Sequence, residues 1–241
     1  MLLAATALTV TGAASHAAVR DYVAVLNDIN NFGASGRVNL SLDDEANTLS
    51  VRVRASGLAA GVPHVQHIHG LKNEDGTNGD SRSPTLATDD LDGDGFVELA
   101  EGALAYGPII LSLTDDTIPG LGGFPTAPDG TIDFSYTYDL LTSPAYGAGY
   151  GIDDLLPLSF REIVIHGAYT DFKLEDTLGG GLGGGIASNP NGPIPAQTNY
   201  NAGLPVLAGE ISPVPVPASA LLLLGGLGGL GLMRRRKRAQ A

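Results

Sequence analysis

Two short segments alternate apolar and polar side chains with period two, and an acidic turn lies between them. Arg37-Val38-Asn39-Leu40-Ser41-Leu42 is the first, Thr48-Leu49-Ser50-Val51-Arg52-Val53-Arg54 the second, and Asp43-Asp44-Glu45-Ala46-Asn47 joins them. Residues i and i+2 of a strand face the same side, so Leu49, Val51 and Val53 share one face and the pair predicts a hairpin. Residues 21–26, 131–138, 161–166 and 205–211 read as further strands. Sustained helical periodicity is missing, except briefly over residues 153–160. Short strands, turn clusters and thirty-four glycines predict an all-β fold: an antiparallel, Greek-key-like sandwich or barrel with long loops.

Two of those loops are long. One spans residues 70–107; the other, 177–203, is rich in Gly, Asn and Pro. No internal repeat is evident. After the second loop and the strand that follows it, Ser212-Pro213-Val214-Pro215 reads as an extended, stiff linker.

Both ends point to export. Residues 1–17 are apolar and small and end in Ser15-His16-Ala17, the pattern of a cleavable signal peptide. At the other end, Val214-Pro215-Val216-Pro217-Ala218-Ser219 precedes an apolar run from Ala220 to Met233, which predicts a short hydrophobic helix. Arg234-Arg235-Arg236-Lys237-Arg238 then follows. The apolar run is shorter than the roughly 20 residues a stable span prefers. The basic cluster would stay cytoplasmic and leave the preceding chain outside. Residues 212–241 resemble the PEP-CTERM class of bacterial sorting tags in its VPLPA-like variant, with Val216 where the variant has Leu. That resemblance implies a transient membrane anchor, a sorting protease or transpeptidase as partner, and delivery to the cell envelope or the extracellular space.

The domain between the ends, residues 18–211, is strongly acidic. Five of the thirteen basic residues lie in the tail, so eight face all twenty-six acidic ones, a net of −18. Nucleic acid is a poor partner for such a surface, and cations are good ones. The chain has no cysteine, so an exported domain gains nothing from disulfides and a bound cation could take over part of that role.

Four of the five histidines fall in two places. His64, His67 and His69 belong to Pro63-His64-Val65-Gln66-His67-Ile68-His69-Gly70, and His166 ends the strand Ile163-Val164-Ile165-His166. His67 and His69 project together from a strand, and imidazoles suit copper and zinc. His166 would close a third position, with His64 as a reserve ligand. Hydrogen-bonded histidines at a sheet edge are the alternative.

Residues 55–70, Tyr106-Gly107-Pro108, residues 161–167 and residues 204–211 together resemble the CHRD domain, a module of bacterial exported proteins. The same pattern resembles copper/zinc superoxide dismutase, a Greek-key sandwich. That likeness implies His67, His69 and His166 as copper-like ligands. The chain departs from it elsewhere: no histidine lies between His69 and His166 to bridge two metals, cysteines are absent, and Lys173 is the only cation between His166 and the tail.

Residues 90–101, DLDGDGFVELAE, fit the pattern of an EF-hand calcium loop in full. Asp90, Asp92 and Asp94 supply oxygens at positions 1, 3 and 5. Gly95 makes the sharp turn, Phe96 offers its carbonyl, Glu98 stands at position 9 and Glu101 is the bidentate position 12. Neither flank reads as a full helix, so the loop is expected to stand alone in a β domain. A solvated acidic loop is the alternative. Taken together, the sequence reads as an exported, surface-sorted binding module that holds Ca2+, with Cu or Zn at the histidines and an extracellular partner it does not identify. A dismutase-like oxidoreductase and a structural matrix protein are the rivals. A serine or cysteine hydrolase is disfavoured, since there is no Cys and no Gly-x-Ser-x-Gly elbow.

Overall fold

The computed structural model describes residues 19–169 and 200–215. The expected signal peptide (1–17), most of the loop at 177–203 and the apolar and basic parts of the tail lie outside the described residues. Among the described residues, nine strands build the fold: β1 (Arg20–Asp28), β2 (Ser35–Asp43), β3 (Thr48–Ser56), β4 (Gln66–His69), β5 (Ile109–Ser112), β6 (Ile132–Asp139), β7 (Glu162–Tyr169), β8 (Tyr200–Glu210) and β9 (Ser212–Pro213). Three short helices join them, α1 (Leu86–Asp89), α2 (Leu99–Tyr106) and α3 (Ile152–Leu155).

The strands form an antiparallel sheet in the order β5-β4-β7-β8-β1-β2-β3-β6. It curls on itself as a partly open barrel or sandwich. β1 pairs with β2 over most of its length but reaches β8 only through Asn27 and Asp28, so one end of β1 links the two halves. Neighbours such as β3 with β6 and β4 with β7 are far apart in sequence, the crossing connections of a Greek-key-like fold.

The hairpin forms where the alternation predicts it. β2 and β3 pair in register from Ser35↔Ser56 to Asp43↔Thr48. Asp43 Oδ1 accepts the backbone N–H groups of Glu45 and Ala46 at 3.0 and 2.9 Å, and Asn47 takes the left-handed conformation (φ 52°) that closes the turn. Leu49, Val51 and Val53 enter the core, as do Val38, Leu40 and Leu42 opposite them. Ile68, Ile163, Ile165 and Leu207 meet them from the other half. Each such aliphatic side chain contributes about 1.5–3 kcal/mol on burial.

The β4–β7 half is different. All four residues of β4 and seven of the eight in β7 are buried. One face of these strands packs on the core, so something must cover the other. The cover is the segment 70–107, which carries α1 and α2. Val97 and Tyr106 pack on Ile29, Val164 and Ala208 as a second, smaller cluster. Asn30 fixes it: its Oδ1 accepts the Val97 N–H (2.8 Å), and its Nδ2 donates to the carbonyls of Val97 (3.1 Å) and Pro205 (2.9 Å).

One expectation needs correction. The acidic loop does not lack a helical flank, because α2 begins inside it at Leu99. Residues 212–214 run extended along β1: β9 pairs with Tyr22 and Val23, and the Val214 N–H donates to the Asp21 carbonyl at 2.8 Å. The brief helical signal at 153–160 corresponds to α3 and a 3-10 turn over Leu158–Phe160.

Candidate metal centre

β4 sits between β5 and β7, with His67 opposite Val164 and His69 opposite Glu162. Because Ile68 turns into the main core, His67 and His69 project to the opposite face, beneath α2. The β7–β8 ladder shifts register on both sides of His166. Gly167 follows with φ 111°, and a Cβ there would strike the Tyr200 hydroxyl, so glycine is required at this bulge. Ile163 and Ile165 of β7 face the main core and Val164 the second cluster, so alternation puts His166 on the face it shares with the other two histidines.

One nitrogen from each of His67, His69 and His166 lies within 4.8 Å of the other two. The rings meet edge to face or tilted, with centroids 5.5–5.8 Å apart. All three residues are buried. His69 Nδ1 lies 2.8 Å from the Gly107 carbonyl and His166 Nδ1 2.9 Å from the Gly203 carbonyl. A carbonyl only accepts, so each Nδ1 carries the proton and each Nε2 holds a free lone pair. Those two Nε2 atoms, with His67 Nδ1, are buried and lack hydrogen-bond partners. Burial disfavours the imidazolium form of all three, and their mutual proximity adds to this for His67 and His69. His67 is pushed well below its ordinary range, His69 to about 3 and His166 to about 4. The cluster therefore presents neutral imidazoles, the form that binds metals.

His64 does not join them. Its Nδ1 lies 2.9 Å from the His166 carbonyl and its Nε2 2.9 Å from the Ala59 carbonyl, so both nitrogens face backbone. Its reading as a reserve ligand gives way to a structural one, a tie between the entry to β4 and the bulge in β7. Sequence reasoning missed other parts of the centre. The Tyr106 ring lies 4.5 Å from that of His69, Phe124 stands edge-on to His67 at 5.5 Å, and Gly107 and Gly203 supply the orienting carbonyls. Tyr106-Gly107 was visible only as part of the CHRD-like pattern.

Above the imidazoles lies a cavity of about 390 Å³, walled by Leu99, Ala103, Tyr106, Pro108, Ile109 and Ala202, among others. Among the described residues, no Lys, Arg, Asp or Glu lines it. The buried Arg161 gives its guanidinium to the carbonyls of Leu155 and Gly79 instead.

The acidic loop is built next to this roof. Carboxylate oxygens of Asp90, Asp92 and Asp94 lie within 4.8 Å of one another, and so do those of Asp92, Glu98 and Glu101. Asp90 accepts the N–H groups of Gly93 and Gly95, both at positive φ, Asp92 that of Asp94, and Asp94 that of Phe96. The Phe96 ring packs on Phe32 at 6.2 Å. Glu101 accepts the backbone N–H groups of Leu91 (2.7 Å) and Glu98 (3.0 Å), completing a capping box with Glu98 at the start of α2. Glu98 is buried, and its Oε1 has no partner. Burial pushes its carboxyl well up, and the contact with Glu101 and the charges of Asp94, Glu101 and Asp92 add to that.

No family model matches the chain, and no curated protein matches it. Among solved structures it is similar to Candida albicans superoxide dismutase 5 with Cu(II), at a TM-score of 0.38 and 13% identity over 82% of this chain and 94% of that one. This is a weak likeness to a copper/zinc-dismutase-like β-barrel, and it carries no chemistry with it.

Proposed function

We propose that this chain is a metal-binding β-sandwich module whose principal site is His67, His69 and His166. One observation carries the reading: three buried imidazole nitrogens converge without hydrogen-bond partners, and for two of them a backbone carbonyl fixes the tautomer that leaves the lone pair free. Leaving a buried polar atom unpaired costs about 1–3 kcal/mol, so three together are hard to account for without a ligand. Three imidazoles suit zinc or copper and leave a coordination position open, where the metal would act as a Lewis acid or, for copper, as a redox centre. We favour binding over superoxide turnover, because among the described residues no Lys or Arg lines the cavity to guide an anion and the domain carries a large negative charge. Titration of the metal-free protein with Zn2+ or Cu2+ should show one equivalent that the triple His67→Ala, His69→Ala, His166→Ala variant lacks. Retention of that equivalent at unchanged affinity rejects the site.

The acidic loop supports a second cation, Ca2+, held by Asp90, Asp92, Asp94, Glu98 and Glu101 with the Phe96 carbonyl. The supporting observation is the unpaired Glu98 oxygen, buried among carboxylates. A cation there would offset the burial of the Glu98 carboxyl and the repulsion of its acidic neighbours, which together raise it. Calcium at about a hundred times its Kd adds about 2.7 kcal/mol of stability, a rise of roughly 5–10 °C in Tm for a domain of this size. Asp92→Ala should abolish the rise, and an equal rise in that variant rejects the loop as the site. Export through the N-terminal segment, sorting through the tail and an extracellular partner complete the reading. They rest on the sequence patterns alone, and mass spectrometry of the native protein's C-terminus tests the tail.

A further inference from the structure

We propose that the cavity over His67, His69 and His166 binds a small, uncharged, single-ring phenol. The inference deepens the reading of that site, and it rests on the imidazole cluster but not on a metal being bound there. The cavity holds about 390 Å³, within the range of small-molecule sites and ample for one substituted ring. Its walls are mainly apolar, from Leu99, Ala103, Pro108, Ile109 and Ala202. The Tyr106 and His69 rings, 4.5 Å apart at 61°, offer the edge-and-face surface that a further aromatic ring packs against.

The floor decides the head group. Two buried nitrogens, His69 Nε2 and His166 Nε2, hold lone pairs and receive no proton donor, and His67 Nδ1 beside them also lacks a partner. The two Nε2 atoms are acceptors, so the matching group is a donor, and a hydroxyl supplies one. An ammonium head would also donate, but no carboxylate among the described residues lines the cavity to offset its charge. A carboxylate head would set its own lone pairs against those of the imidazoles, with no Lys or Arg among the lining residues to receive it. A ring with one hydroxyl suits floor and walls together, its proton donated to one imidazole nitrogen and its ring packed on the apolar wall. Access is through the rim, where Pro108 and Ile109 are exposed and Leu99 and Ala103 partly so.

The test is calorimetry on the metal-free full chain with three probes of similar size: 4-methylphenol, 1,4-dimethylbenzene and benzoate. One hydrogen bond to a buried acceptor predicts that 4-methylphenol binds roughly tenfold more tightly than 1,4-dimethylbenzene, and benzoate should show no saturable binding. Ala103→Leu fills the cavity from α2 and should abolish 4-methylphenol binding, whereas Leu104→Ala, on an exposed side chain of the same helix, should not. Should Ala103→Leu fail to fold, Ile109→Gln at the rim replaces it and should weaken binding severalfold. Absence of 4-methylphenol binding, equal binding of benzoate, or undiminished binding in the cavity-filling variant overturns the proposal. The zinc titration separates the two readings. Zinc binding with no phenol binding refutes this inference alone, and phenol binding with no zinc uptake refutes the metal centre alone.

Discussion

Asn30→Ala removes the pin that holds the acidic loop and α2 against the sandwich. Asn30 is 5% exposed, and its side chain makes three hydrogen bonds, one from the Val97 N–H and two to the carbonyls of Val97 and Pro205. Alanine leaves those three buried backbone groups unpaired, at about 1–3 kcal/mol each. Full additivity would overestimate the loss. The three groups surround the space vacated by the amide, and a single water there could bond to all of them. We therefore expect a loss of about 2–4 kcal/mol, or roughly 5–15 °C in Tm. Asn30→Asp separates the pin from simple volume. It keeps an acceptor for the Val97 N–H but turns a second oxygen on two carbonyls, so at neutral pH it should cost at least as much as alanine. Val97 lies between Phe96 and Glu98, so both variants should also weaken the calcium response. Thermal melts with and without calcium measure both effects. If Asn30→Ala melts within about 1 °C of the parent, the loop is held by something else and the reasoning fails.

In Gly102→Ala a Cβ on α2 would lie 2.6 Å from Tyr106 Cε1 and 2.9 Å from its hydroxyl. The helix gains up to about 1 kcal/mol from alanine but loses about 1–3 kcal/mol to overpacking, so a net loss and weaker zinc binding through the displaced Tyr106 are expected; a more stable variant with unchanged zinc affinity contradicts this. Glu162 is buried with one oxygen bonded to the Ser83 hydroxyl and the other unpaired, and burial pushes its carboxyl up to about 8. Its folded-state value exceeds the unfolded one, so its contribution is full below about pH 4.5 and is lost as pH rises towards 8. Glu162→Gln should therefore gain on the parent between urea melts at pH 5 and pH 8, and a constant gap refutes the assignment. For His69 and His166, held at about 3 and 4, the sign reverses: their contribution is full above about pH 6.5 and is lost as pH falls through those values. The metal-free triple His→Ala variant should lose less stability than the parent between pH 6.5 and 4, as acid titration followed by circular dichroism would show.

Alternation gives a strand's inward side only where one face is wet. Leu49, Val51 and Val53 alternate with exposed Ser50, Arg52 and Arg54, so period two named both the strand and its inward side. β7 was legible as an apolar run but not by its inward side, and β4 only as a histidine-bearing strand, because the core buries one of their faces and the segment 70–107 the other. α2 was missed for a related reason. It spans eight residues, too few to be stable alone, and its stability comes from Tyr106 and the Glu98–Glu101 box. Two glutamates three residues apart satisfy the spacing of a calcium loop and of a capping box equally well, so sequence could not separate the two uses.

The histidines show what does separate such uses. Gln66, His67, His69 and Glu162 are polar residues in strands covered on both sides, where every polar atom needs a partner or carries a cost. The structure supplies some partners: the Leu113 carbonyl for Gln66 Nε2, the Ser83 hydroxyl for Glu162, the Gly107 carbonyl for His69 Nδ1. His64 looked equivalent to His67 and His69 in sequence, yet both its nitrogens are engaged by backbone. What distinguishes the other three is that their unpaired nitrogens converge on one point below a cavity. Scattered unpaired atoms would be defects of packing. Three that share a focus, with two tautomers fixed from behind, are what the proposed ligand from outside the chain would explain.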